Sequence, residues 1–206
     1  MARRKEHTHE EINEMAIVAV MEYLQAASLD GLSLRKVASQ IGYAPSTLIN
    51  IYGSYQQLLL RVSERVLVNL YQHLADLNVD CSQDEPINII EAMAHGYCQF
   101  AFEHKAGFKL VFEISAPDNV SLSSSHQHAI DSLFGLISQQ LKHVFAQASE
   151  QQITLMSRVL WGGIHGLTCL AIDGKLFTTE TELPAMLSSH VQGYILGMTK
   201  NKDAAC

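Results

Sequence analysis

The sequence predicts an all-α protein: an N-terminal three-helix helix-turn-helix domain followed by a C-terminal helical bundle, with about nine helices in all. Three observations carry that prediction. Apolar residues recur at intervals of three and four along most of the 206-residue chain. Hydroxyl residues, prolines and glycines fall where helices start and stop. No segment sustains the every-other-residue alternation of a half-buried strand.

Thr8 and Glu11 have capping-box spacing, and Ile12, Met15, Ala16, Ala19, Val20, Tyr23 and Leu24 then follow at helical intervals, so a first helix runs to about Ser28. Asp30-Gly31 is a turn signal. Ser33 is the expected N-cap of a short helix from Leu34 to Ile41, and Gly42 suits the left-handed residue just beyond it. Pro45 stands at the first position of a third helix, where its missing N–H removes no bond; Gly53 ends that helix after Tyr52. Ser54 caps a long fourth helix to about Leu77. Asn78 to Glu85 reads as a polar connector, Pro86 opens a helix to about His104, and an apolar segment covers Gly107 to Ile114. Pro117-Asp118-Asn119 marks a loop that Ser121 to Ser125 extend. Helices follow at about 126–147, 151–172 and 181–199, with Asp173-Gly174 closing the second of them. The expected division is a helix-turn-helix domain at 1–53 and a larger helical domain at 54–206, with 54–77 as the connecting helix.

Charge is distributed unevenly. The net charge is −7, yet residues 1–61 hold six Lys/Arg and six acids, so the whole excess of negative charge lies beyond them. Such an asymmetry leaves the N-terminal part free to approach a polyanion. The first residues, Met1-Ala2-Arg3-Arg4-Lys5, lack the apolar core of a signal peptide, and no uninterrupted apolar run reaches the length of a membrane span. A cytoplasmic protein with no membrane partner is the expectation. Cys81, Cys98, Cys169 and Cys206 form no CxxC pair; Cys98 and Cys169 read as buried small hydrophobes and Cys206 as an exposed thiol.

The most informative stretch is Leu32 to Leu60. Leu34, Val37, Ala38 and Ile41 make the inner face of one short helix, and Leu48 and Ile51 that of the next. Ala38 is small where two crossing helices must approach closely. Burying those faces against each other leaves Ser46, Thr47 and Asn50 outward on the second helix, where short hydroxyl and amide side chains reach base edges or phosphates. The N–H groups at that helix start attract phosphate, and Arg35 and Lys36 on the preceding helix would meet the DNA backbone.

Here the chain resembles the TetR family of one-component regulators. The resemblance covers the first helix, the capped second helix, Gly42-Tyr-Ala-Pro-Ser-Thr-Leu48, and the Gly53-Ser54-x-x-x-Leu58 entry to the fourth helix. It implies a DNA-facing set of Ser33, Arg35, Lys36, Tyr43, Ala44, Pro45, Ser46, Thr47, Asn50, Tyr52 and Tyr55. Two positions depart from the family pattern: Ile49 stands where an aromatic residue is usual, and Tyr55 where a lysine is usual. Both usual residues contact phosphates in the family.

Further on, Trp161…His165-Gly166…Leu170…Gly174 resembles a TetR subgroup whose ligand domain carries a Trp-x-x-x-His-Gly signature. The resemblance implies that the last two helices pair with their copies in a homodimer. Gly162, Gly163 and Gly166 would allow close approach, and Leu183, Leu187, Val191, Tyr194, Ile195 and Met198 supply an apolar stripe. An effector pocket is expected among Met93, Tyr97, Cys98 and Phe102, joined by Phe108, Phe112, Phe134, Trp161 and His165. His165 reads either as a hydrogen-bonded core histidine or as a ligand contact, and Trp161 as core or pocket wall. No fixed basic cluster marks an anionic ligand, so a small, largely apolar effector is expected.

The implied function is a repressor that binds a palindromic double-stranded operator as a homodimer and is released by that effector. The alternative is a helical ligand-binding protein with weak or lost DNA binding. Ten histidines, including His7-x-His9 and His126-x-His128, raise the possibility of metal sensing, but no cysteine or acid pattern completes a site, and neither metal nor cofactor is expected. No phosphate loop, GxSxG or HExxH motif points to an enzyme.

Overall fold

A computed structural model describes residues 7–77, 85–114, 122–176 and 182–203. Among them are nine α-helices and no strand: α1 (His9–Ala26), α2 (Leu34–Gln40), α3 (Pro45–Tyr52), α4 (Tyr55–Ala75), α5 (Pro86–Glu103), α6 (Lys105–Glu113), α7 (Ser124–Val144), α8 (Glu150–Ile172) and α9 (Leu183–Asp203). A single 3-10 turn, Leu29–Gly31, precedes α2. The expected connector at Asn78, the Pro117-Asp118-Asn119 loop, Cys81 and Cys206 lie outside the described residues.

Local chemistry sets the helix ends. Thr8 and Glu11 close a reciprocal capping box on α1, with bonds of 3.2 and 2.7 Å. Ser33 caps α2 and Ser54 caps α4, each hydroxyl accepting a backbone N–H. Ser149 and Gln152 form a second capping box at the start of α8. Gly42, at φ 78°, completes a Schellman motif: Tyr43 N–H donates to Ala38 C=O and Gly42 N–H to Ser39 C=O. Lys175 and Gly174 close α8 in the same way, onto Leu170 and Ala171.

The chain packs as two compact units, and they do not divide at Gly53. One comprises Met1–Val68 and His104–His128, the other Asn69–Glu103 and Ala129–Cys206. α4 is one uninterrupted helix whose first part belongs to the first unit and whose last turns belong to the second. α6, far along the chain, returns to pack on α1.

In the first unit Ile12, Ala16, Val20 and Leu24 of α1 meet Val37 and Ala38 of α2, Leu48 of α3, Leu58, Leu59 and Val62 of α4, and Leu110 of α6. Arg65 of α4 donates two hydrogen bonds to Glu14 of α1, at 2.9 and 2.7 Å.

In the second unit α5, α8 and α9 pack on one another. Leu183, Leu187, Val191 and Ile195 of α9 are buried, as are Leu160 and Ile164 of α8. A Cβ on Gly163 would overlap the ring of His190, whose Nε2 sits 3.1 Å from the Leu160 carbonyl, so that ring would have to shift. α8 is long and apolar enough, by length and composition alone, to cross a membrane. Only 28% of its most apolar window is buried within the chain, so much of that apolar surface faces outward.

Candidate nucleic-acid interface and effector cluster

Two of the expected constellations are assembled, one in each unit. The first is the helix-turn-helix. Leu48 is fully buried and anchors α3 to the core. Residues about half a turn away from it, Ser46 and Asn50, are therefore exposed, with Thr47 half-buried beside them. Ala44 offers no side-chain cap to α3, Pro45 carries no N–H, and the Thr47 N–H donates to the Ala44 carbonyl at 3.0 Å. Arg35 and Lys36 are exposed on α2, although the Lys36 ammonium is drawn onto the Gly31 carbonyl. Ala44 and Pro45 are exposed at the turn, and Ser33 is half-buried with its hydroxyl used as the α2 cap.

The tyrosines of the expected set are supports within the fold. Tyr52 donates a hydrogen bond of 3.1 Å to the Asn13 carbonyl of α1, and burial pushes its phenol up to about 12. Tyr43 Oη lies 2.7 Å from His7 Nδ1. Tyr55 sits more deeply than Ser46 and Asn50. Its ring packs against the first unit's core, and its hydroxyl is buried with no hydrogen-bond partner among the described residues. Ile49, by contrast, is exposed.

The second constellation joins α5, α7 and α8. The Trp161 ring stacks on the His165 imidazole, with centroids 5.0 Å apart and planes 17° apart. Phe134 of α7 meets Trp161 edge-on at 5.5 Å, and the Arg158 guanidinium lies 4.6 Å from the Phe134 ring centre. Tyr97 Oη of α5 is 2.9 Å from His165 Nδ1, and Cys169 Sγ is 3.4 Å from His165 Nε2. The Tyr97 hydroxyl is thus within hydrogen-bond distance of the His165 ring. Burial lowers its pKa and raises those of Tyr97 and Cys98, so all three are neutral near pH 7. Met93 and Cys98 are buried in α5, and Phe102 is half-buried.

Phe108 and Phe112 lie in the first unit, with rings 5.1 Å apart on α6, which packs on α1. The sequence reading also missed Arg158 and Cys169. Cys169 had a signal, since Trp161, His165 and Cys169 stand four residues apart and share one helical face.

The expected dimer stripe is corrected in part. Leu183, Leu187 and Val191 are core within a single chain, because α9 turns that stripe towards α5 and α8. Tyr194 and Met198 are half-buried. What faces outward is a different set: Leu155 (65% exposed), Val159 (48%), Leu170 (44%) and Leu196 (54%). Gly162 and Gly166 share the α8 face of Leu155 and Val159, and a Cβ on either would meet nothing within 4 Å. Beside this face an open groove of about 770 Å³ is lined by Gly163, Leu167, Met186, Ser189 and His190. Among the described residues no group of three or more His, Cys, Asp or Glu could hold a metal ion.

Residues 90–194, just over half of the chain, match the family described as tetracyclin repressor-like, C-terminal domain. An uncharacterised HTH-type transcriptional regulator of Bacillus subtilis, YobS, is 22% identical over 188 residues, which cover 91% of this chain and 93% of the relative. A protein of unknown function from Rhodococcus sp. RHA1 shares the fold with a TM-score of 0.73 at 18% identity, over 96% of this chain and 98% of that one. A TetR-family regulator from Streptomyces coelicolor does so at 0.67 and 16% identity, over 95% and 85% of the two chains.

Proposed function

The chain belongs to the TetR family of transcriptional regulators, and on that premise we propose that it represses transcription by binding a palindromic operator as a homodimer and lets go when a small, largely apolar effector binds. The observation that carries the DNA reading is α3, held by buried Leu48 so that Ser46 and Asn50 are exposed beside an uncapped helix start. Ser46, Thr47 and Asn50 read base edges. Arg35, Lys36, Ala44, Pro45 and the α3 N-terminus meet the backbone, and Ser33, Tyr43 and Tyr52 hold these elements in place. Residues 1–53 carry DNA binding, and 54–206 carry effector binding and dimerisation in the cytoplasm.

The dimer forms on the outward face of α8 and α9. An apolar stripe of Leu155, Val159, Leu170 and Leu196, with open glycines at 162 and 166, is the surface that a second copy covers. Tyr194 and Met198 flank it. The effector sits at the Trp161–His165 cluster, whose spacing supports a place in the Trp-x-x-x-His-Gly subgroup, with Met93, Tyr97, Cys98, Phe102 and Phe134 around it. Effector and operator then oppose each other, and α4, continuous through both units, carries the coupling.

Selection of bound fragments from a random DNA library, followed by gel shifts, tests this reading. A palindromic site bound by dimer supports it. Exposed Ile49 and the buried Tyr55 hydroxyl favour the second reading, a ligand-binding protein that has lost DNA binding. Failure to enrich any sequence would establish that one.

A further inference from the structure

The exposed residues of α3 are Pro45, Ser46, Ile49 and Asn50. Leu48 is buried, and Ile51 and Tyr52 pack against the same core. The rotation of the helix about its axis is thereby fixed. Ile49 is 43% exposed. Single apolar residues are ordinary on protein surfaces. This one, however, stands one turn on from Pro45 and Ser46 and next to Asn50, within the face that meets DNA in the proposed function. Ala44 and Pro45, both exposed, continue its apolar edge to the helix start, and Ser46 and Asn50 make the polar edge beside it. Isoleucine branches at Cβ, and on a helix such a side chain is held in essentially one χ1 rotamer. Its apolar surface therefore has a fixed shape. The side chain has no donor or acceptor for a phosphate, which is what counts towards the second reading above; on DNA it needs an apolar partner.

Among the groups that bases present in the major groove, the C5-methyl of thymine is the apolar one. We propose that Ile49 is a specificity-determining residue that packs on a thymine methyl in each operator half-site, beside the base edges met by Ser46 and Asn50. This contact rests on the DNA-binding reading above and adds to it the identity of one base. The other three bases are disfavoured by the same geometry. Cytosine presents an amino donor at that place, adenine an amino donor and N7, and guanine the acceptors N7 and O6. Isoleucine packed on any of these would take a polar group out of water and give it no partner. The exposed face of α3 thus divides by kind: hydroxyl and amide groups for hydrogen-bonding edges, and one rigid apolar side chain for a methyl.

The experiment uses the full chain and the palindromic fragment recovered by selection from random DNA, with Kd read by fluorescence anisotropy. Each thymine is replaced in turn, in both half-sites at once, by deoxyuridine, which deletes the C5-methyl and keeps every hydrogen-bonding group. At one position the replacement should weaken binding about fifteenfold, one buried methyl per half-site at about fourfold each. Ile49→Ala should weaken binding to the thymine operator at least as much and leave random DNA unaffected. It should also abolish the response to deoxyuridine at that one position and keep the responses at the other thymines, the non-additivity expected of two groups in contact. Position 49 is exposed and alanine is the best helix former, so the variant keeps the fold, which circular dichroism checks. Deoxyuridine tolerated at every thymine, an Ile49→Ala protein that keeps the wild-type response, or equal weakening of that variant on operator and random DNA would each overturn the proposal. A selection that enriches no sequence overturns the DNA-binding reading and the thymine contact with it. An enriched operator indifferent to deoxyuridine overturns the thymine contact alone.

Discussion

The two compact units handle apolar surface in different ways. In the first, the stripes of α1, α2, α3, α4 and α6 all converge on one core, and the outward face of α3 is polar, carrying Ser46, Thr47 and Asn50. In the second, α8 and α9 each carry two apolar faces. One is spent inside the chain, through Leu160, Ile164, Leu187 and Val191; the other, through Leu155, Val159, Leu170 and Leu196, is left outside. A surface read by DNA needs donors and acceptors held on a rigid frame, whereas a surface covered by a second copy needs apolar area and close approach. The same helical periodicity therefore serves two purposes, and only the packing partner tells them apart.

The largest expected effect breaks that comparison directly. Leu187 is 1% exposed and Leu196 is 54% exposed, on the same helix. Leu187→Ala should lower the unfolding free energy by about 2–5 kcal/mol, the range for truncating a buried leucine, as read in urea denaturation. Leu196→Glu should leave helical content intact and shift sedimentation equilibrium from dimer towards monomer. A dimeric Leu196→Glu protein would place the subunit interface elsewhere.

A smaller effect is expected at the DNA. Asn50→Ala should cost about 1–3 kcal/mol on the selected operator and leave random DNA unaffected, as loss of a base contact does. Equal weakening on both would move Asn50 from base reading to backbone contact. Fluorescence anisotropy on the two DNAs distinguishes these results.

Legibility in the sequence followed the range of the interaction. The Thr8–Glu11 box, the Ser33 and Ser54 caps, Pro45, Gly42 and Gly174 act within five residues of themselves, and each stands where the pattern put it. The exposed face of α3 follows from Leu48 in the same way. What the pattern does not carry is which stripe meets which partner. Leu183, Leu187 and Val191 look like an interface until α5 and α8 are seen to cover them. Nor does the pattern carry the return of α6, with Phe108 and Phe112, to pack on α1. The Trp161–His165 contact was readable from four-residue spacing, but Tyr97 and Phe134 reach it from other helices.

Tyr55 offers a test with the opposite sign. An unsatisfied buried hydroxyl costs stability, so its removal without a change of shape should be neutral or favourable. Tyr55→Phe should raise the unfolding free energy by up to about 1 kcal/mol, with operator affinity and its salt dependence unchanged. A weaker, less salt-sensitive complex would show that the hydroxyl reaches a phosphate when DNA is bound, and would restore Tyr55 to the contact surface.

The smallest effect lies in the ion pair that ties α1 to α4. Arg65 grips Glu14 through both guanidinium nitrogens at 2.9 and 2.7 Å, but the side chains remain 37% and 52% exposed, so water screens much of the attraction. Exposed pairs contribute about 0.2–1 kcal/mol, and Glu14→Gln should cost no more than that at pH 7. The hydrogen bonds from Arg65 hold the Glu14 carboxyl below its ordinary value. A carboxylate whose folded pKa is depressed stabilises the fold above the unfolded pKa and loses that contribution as pH falls through the folded one. The stability gap between wild type and Glu14→Gln should therefore be fully present at neutral pH, narrow through the acid range and close once Glu14 is protonated in both states. Added salt should narrow it at pH 7 as well. Urea melts across pH and salt measure both trends. A gap that persists in acid would mean that Glu14 acts through packing of its side-chain stem and not through its charge.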